Sequence, residues 1–158
     1  MVCHLVLVAM LAAQAAELVD RTLAIVAGRT ITLSDARTAL ALKLIEGTSV
    51  DPAVVQRLVD RELMLREADR YDPAEPAGEM IEARLAAVRT NAGGDEGLAR
   101  VLQAGGFAER RLRAWVRDDL RIDAYLRQRF AMDERREDLI ADWLSDLRRR
   151  SPVTIIEP

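Results

Sequence analysis

Two short β-prone segments stand at opposite ends of this chain, and everything between them carries helical periodicity. The first, TLAIVAGRTITL from Thr22 to Leu33, is a pair of β-branched apolar runs around Gly28-Arg29, the composition and spacing of a hairpin. The second, Val153-Thr154-Ile155-Ile156, follows Ser151-Pro152 near the far end. An isolated hairpin is marginal in water and needs a third strand or a helix to lie on. The tail segment has a matching length, so the pattern predicts that it pairs with the hairpin and closes the chain end to end.

Six helices are expected between these strands. Thr32 or Ser34 can cap the first, which runs through about Glu46 with Ala36, Leu40 and Leu44 on one face and Gly47 as its stop. Asp51-Pro52 starts the second, with Asp as cap and Pro where a missing N–H costs nothing. It carries Val55, Leu58, Val59, Leu63 and Met64 to about Arg70, before Tyr71-Asp72-Pro73 and Pro76 break it. The third holds Met80, Ile81, Leu85 and Val88 and ends at Asn91-Ala92-Gly93-Gly94. A short fourth holds Leu98, Val101 and Leu102 and stops at Gly105-Gly106. The longest spans about Ala108 to Phe130 with the stripe Leu112, Trp115, Val116, Ile122, Leu126 and Phe130. The last spans Asp133 to Arg149 with Leu139, Ile140, Trp143, Leu144 and Leu147. The fold class read from this order is mainly α, with a small antiparallel sheet made by the N-terminal hairpin and the C-terminal strand. At 158 residues, half of them hydrophobic, the chain is long enough for one packed core.

The chain begins with an uninterrupted apolar run, Leu5 to Ala13, followed by Ala13-Gln14-Ala15, which meets the small-residue rule for secretory cleavage. We read residues 1–15 as a signal peptide and 16–158 as a single domain. The segment ahead of the run lacks Lys and Arg, which points to a start codon further upstream; the alternative is a buried N-terminal helix, because the run is too short to span a bilayer. The one cysteine, Cys3, and the one histidine, His4, both leave with the leader, so the mature chain suits an oxidising compartment.

That loss also narrows the chemistry. With no imidazole or thiol left, a Ser-His-Asp or Cys-His nucleophile and a Cys/His metal site are excluded, and no phosphate-binding glycine pattern is present. The expectation is a non-enzyme with no catalytic residues, no metal and no cofactor. The adjacent carboxylates Asp118-Asp119 and Asp133-Glu134 point about 100° apart on a helix, cannot share a proton, and are expected to be solvated. Arg110, Arg113, Arg117 and Arg121 line up as a basic stripe, for which Asp118 is within reach of Arg121, and Asp123 of Arg127. Arg148, Arg149 and Arg150 complement the negative end of the last helix. With 23 basic and 26 acidic side chains there is no field to draw the protein onto nucleic acid or lipid. Met64, Met80, Phe107 and Tyr125 are the candidate peptide-binding residues, being adaptable or amphipathic side chains suited to a surface that repacks around varied ligands.

Taken together, a secretory leader, VDRTLAIVAGRTITLSDA (Val19 to Ala36), RLVDRELMLREADRY (Arg57 to Tyr71), GGFAERRLRAWVRDDLRIDAYLRQRF (Gly105 to Phe130) and WLSDLRRRSPVTIIEP (Trp143 to Pro158) resemble the chaperone core of SurA-type periplasmic chaperones. The resemblance implies a periplasmic, ATP-independent holdase for unfolded outer-membrane or secreted proteins, touching membranes only through those clients. In that family parvulin domains of about 100 residues each sit between the long and the last helix, whereas here only Ala131 to Arg136 separates them. Prolyl isomerase activity is therefore expected to be absent. The alternative is a non-catalytic adaptor that binds one folded partner. The short connector to the last helix also allows a domain-swapped homodimer.

Overall fold

The computed structural model describes residues 20–71, 73–130, 132 and 134–156, so the expected leader at 1–15 lies outside the described residues. The chain is mainly helical around a three-stranded antiparallel sheet. Strand β1 (Thr22–Val26) is central, flanked by β2 (Arg29–Thr32) and by β3 (Val153–Ile155). The tail strand does pair with the hairpin, with Ala24 opposite Ile155 and Val26 opposite Val153. Ile156 donates its N–H to the Leu23 carbonyl at 2.8 Å, and Ala27 donates to the Pro152 carbonyl at 2.8 Å.

The second of those bonds explains where the hairpin turns. Val26 pairs with Arg29, so the two turn residues are Ala27 and Gly28, one position earlier than Gly28-Arg29. Both have positive φ, 46° and 89°, the backbone signature of a tight primed turn whose twist matches the strands. An alanine there is strained. It is held by the tail strand at its N–H and by Arg66, which donates to its carbonyl at 3.2 Å.

Helix α1 (Leu33–Ala41) starts in a reciprocal capping box: Asp35 N–H donates to Thr32 Oγ1, and Thr32 N–H donates to Asp35 Oδ2, each at 3.2 Å. It ends well before the expected Glu46. Lys43 takes φ 53°, Leu44 N–H reaches back to the Ala39 carbonyl and Lys43 N–H to Leu40, which is a Schellman closure without the usual glycine. Burial explains the early stop, because the break seats Leu42, fully enclosed, in one part of the core and Leu44 against both.

Helix α2 (Pro52–Tyr71) begins as expected, with Asp51 Oδ1 accepting from Val54 N–H at 2.8 Å. Next come α3 (Gly78–Asn91), α4 (Gly94–Ala104), α5 (Glu109–Arg129) and α6 (Arg136–Arg150). Two apolar clusters hold these together. One joins the sheet to α1, α2, the end of α5 and α6 through Val26, Val59, Leu63, Tyr125, Trp143 and Leu147. The other joins α3, α4 and the start of α5 through Ile81, Val88, Leu102, Phe107, Leu112 and Val116. Trp115 and Leu44 pack against both.

At the seam between α1 and α4 there is no spare volume. A Cβ on Gly105 would sit 2.0 Å from Thr38 Oγ1, a buried hydroxyl with no hydrogen-bond partner among the described residues. Gly105→Ala is therefore expected to cost about 1–3 kcal/mol in a denaturant titration. Adding Thr38→Ala should restore more than half of it, because the second change removes the atom that collides. Equal losses in the single and double variants would place the cost elsewhere.

Candidate functional site

The four candidate side chains do not converge. Phe107 and Tyr125 are buried, each 4% exposed, in different apolar clusters. Met80 lies on the open face of α3 at 46% exposure. Met64, half-buried on α2, is the one that lines an apolar groove.

That groove has a volume of about 390 Å³ and forms where three helices and a link fail to close over one another. Leu44 and Ile45 come from the link after α1, Met64 from α2, Ile122 and Leu126 from α5, and Leu144 from α6. Leu44, Ile45, Met64, Leu126 and Leu144 all pack against the core with one side and keep part of their surface open. The rim is polar, and two of its carboxylates are answered within the protein. Arg148 grips both carboxylate oxygens of Asp60, 2.6 Å from Nε, and Gln56 donates to Asp60 at 2.9 Å. Arg61 holds Asp119 at 2.7 Å while donating to the Trp115 carbonyl at 3.1 Å and lying 3.9 Å over the Trp115 ring. Glu46, Arg57, Arg84 and Asp123 complete the rim with no ion pair among the described residues, so an apolar floor lies inside an edge that carries both signs of charge.

The acidic pair expected to be solvated is not. Asp118 is buried and takes two hydrogen bonds from Arg117, and Asp119 is held by Arg61. Burial pushes the Asp119 carboxyl up from its ordinary value, with Arg61 opposing. Two arginines of the basic stripe find their partners on neighbouring helices: Arg121 pairs with Asp69 of α2 at 2.7 Å and Arg113 with Glu82 of α3, so Asp118 answers Arg117 and not Arg121. The physical reason is the same for both features, since α5 runs between α2 and α3 and none of its residues from 114 to 122 is fully exposed. Asp133 of the other acidic pair lies outside the described residues.

Beside Asp118 is a small cavity of about 80 Å³ between the hairpin, α2 and α5, lined by Arg29, Asp35, Glu62, Arg111 and Asp118 among others. It has room for a few waters and no peptide. Arg111 holds Asp35 at 2.6 Å, whereas Glu62 is buried with Arg29 no nearer than 3.4 Å. Burial raises the Glu62 carboxyl, and the charges of Arg29, Arg61 and Arg66 offset this only in part. Above the ordinary value of 4.5 the unfolded chain has released a proton that the native state still holds, so stability from this group falls as pH rises through that window. Glu62→Gln is expected to remove this slope and raise the melting temperature at pH 7 by about 2 °C, measured by thermal unfolding from pH 4 to 8. A lower melting temperature at pH 7 would show that the Arg29 contact outweighs burial.

Among the described residues no cluster of His, Cys, Asp and Glu is placed to hold a metal ion, and no helix is long and apolar enough to cross a membrane. No protein-family model matches the chain, and no curated protein is similar to it in sequence.

Proposed function

We propose that this protein is an ATP-independent periplasmic holdase of the SurA type that binds apolar and aromatic stretches of unfolded outer-membrane or secreted proteins and has no prolyl isomerase activity. The observation that carries this reading is the half-open apolar groove around Met64, whose floor is contributed by α2, α5, α6 and the link after α1. A flexible Met and five branched aliphatic side chains make a surface that adapts to different sequences, and a rim carrying both signs of charge favours neither sign of client. The end-to-end closure and the helix order agree with the resemblance to that family's chaperone core. Binding is weak and fast, because ordering a client chain opposes it. Arginines paired to Asp69 and Glu82 leave the α5 stripe little charge for phosphates, so nucleic acid is not a partner in this reading.

Light scattering by an unfolded outer-membrane barrel protein diluted from denaturant tests the proposal. Suppression without ATP at near-stoichiometric amounts is the expected result. No suppression by a sample that melts cooperatively would reject it, and saturable capture of a single folded partner would favour the adaptor.

A further inference from the structure

A second cleft, of about 220 Å³, opens at the far ends of α2 and α5 and is lined by Tyr71, Tyr125, Gln128 and Arg129. Tyr71 and Tyr125 form its aromatic wall, which continues into a ring cluster behind the cleft. Tyr71 stacks on Tyr125 at 5.4 Å, Tyr125 meets Trp143 at 5.8 Å, and Trp143 meets Phe130 at 5.5 Å. The Arg129 guanidinium lies 6.0 Å from the Tyr125 ring and 5.5 Å from the rings of both Phe130 and Trp143. Among the described residues Arg129 has no carboxylate partner, unlike Arg61, Arg117, Arg121 and Arg148.

Two features of this cleft suit an anion. Among the described residues no carboxylate pairs with the exposed Arg129 guanidinium. The Tyr125 hydroxyl is buried and has no hydrogen bond of good geometry among the described residues, although the Arg129 guanidinium lies close enough to act on it, and Tyr125 is 4% exposed. An orphaned buried donor costs about 1–3 kcal/mol, so an acceptor that reaches it is favoured. Burial raises the phenol of Tyr125, with the Arg129 guanidinium opposing. Glu67, the nearby negative charge, is already held by Arg70 at 2.7 Å and Arg150 at 3.9 Å. Tyr71 ends α2 and is 62% exposed, so rotation of this ring opens the way to the phenol beneath it.

We propose that this cleft binds a carboxylate carried by an extended polypeptide, either the free end of a chain or an acidic side chain. Arg129 forms the ion pair, the Tyr125 hydroxyl and the Gln128 amide donate hydrogen bonds, and the open face of Tyr71 packs against the apolar side chain next to the carboxylate. One guanidinium matches one negative charge, and two carboxylate oxygens suffice for the donors at hand. The site is separate from the Met64 groove, since Leu126 and Tyr125 are successive residues of α5 and point about 100° apart.

Fluorescence anisotropy with three short labelled peptides of one apolar sequence tests this: one with a free terminal carboxylate, one amidated, and one amidated with an internal glutamate. One or both carboxylate peptides should bind at least about tenfold more tightly than the neutral one, and whichever of the two binds better identifies the source. Tyr125→Phe should weaken that peptide about tenfold and Arg129→Gln by more, while Tyr125→Phe melts no lower than the parent because it removes an unpaired buried hydroxyl. Met64→Glu should leave this binding unchanged, which separates failure here from failure of the groove. Equal binding of the neutral peptide would overturn the proposal. Displacement by inorganic phosphate at concentrations where acetate has no effect would overturn it too, as would a Tyr125→Phe variant that binds normally and melts lower.

Discussion

Trp143→Ala is expected to destabilise the protein by about 3–5 kcal/mol, a large share of the roughly 5–15 kcal/mol that holds a domain of this size together. Trp143 is buried against Tyr125, Phe130 and the Arg129 guanidinium, and with Leu147 it seats α6 on the core. Helix α6 in turn delivers β3 to the edge of β1, so the loss extends beyond one cavity. Amide exchange should show Ala27 N–H, which donates to the Pro152 carbonyl, losing protection along with the tail. Leu139, on the same helix but half-open to solvent, serves as the comparison, and Leu139→Ala should change stability by no more than about 0.5 kcal/mol. A denaturant titration in which Trp143→Ala costs less than 1 kcal/mol would mean that α6 is not docked.

The second large effect concerns the groove. Met64→Glu places a carboxylate among Leu44, Ile45, Leu126 and Leu144, where an apolar client would have to strip its water. The expected outcome is at least a tenfold rise in the amount of protein needed to halve client aggregation, equivalent to about 1.4 kcal/mol of lost affinity. The fold should survive, because Met64 is half-buried and its open side has room for the new group. Met80→Glu, on the exposed face of α3 and outside the groove, should behave like the parent in the same assay. If both variants hold clients equally well, the groove is not the binding surface.

Local chemistry made much of this fold legible. The Asp51 cap ahead of Pro52 and the Thr32 cap of α1 rest on side chains that bond their own neighbours, and such bonds form wherever the chain goes next. Pairing of the tail strand with the hairpin was readable because two β-prone segments in an otherwise helical chain have few other partners. Less readable were the one-residue shift of the turn to Ala27-Gly28 and the early end of α1 at Ala41. The first depends on hydrogen bonds from residues far along the chain to Ala27, and the second on the two clusters that Leu42 and Leu44 enter.

The candidate sites were the least legible. Periodicity marks an apolar stripe without saying how completely a neighbour covers it, so Leu126 and Leu144 read as core while they form the groove floor. Of the four side chains singled out for adaptability, Met64 lies in the groove and Tyr125 under the second cleft, whereas Phe107 is packed away and Met80 stands alone. Arg129 gave no signal among 23 basic residues, and its position over three rings exists only once α5 and α6 are side by side.

By itself, the order of residues determined the starts of α1 and α2, the helical class and the meeting of the hairpin with the tail strand, since each follows from bonds and burial that nearby residues impose, whereas α6 begins at Arg136 and not at the expected Asp133. Only tertiary structure decided which carboxylates are buried, which arginine lies over three aromatic rings and which leucines stay half open. Those properties belong to the gaps between elements, and the size of a gap is set by how surfaces distant in sequence fit against one another.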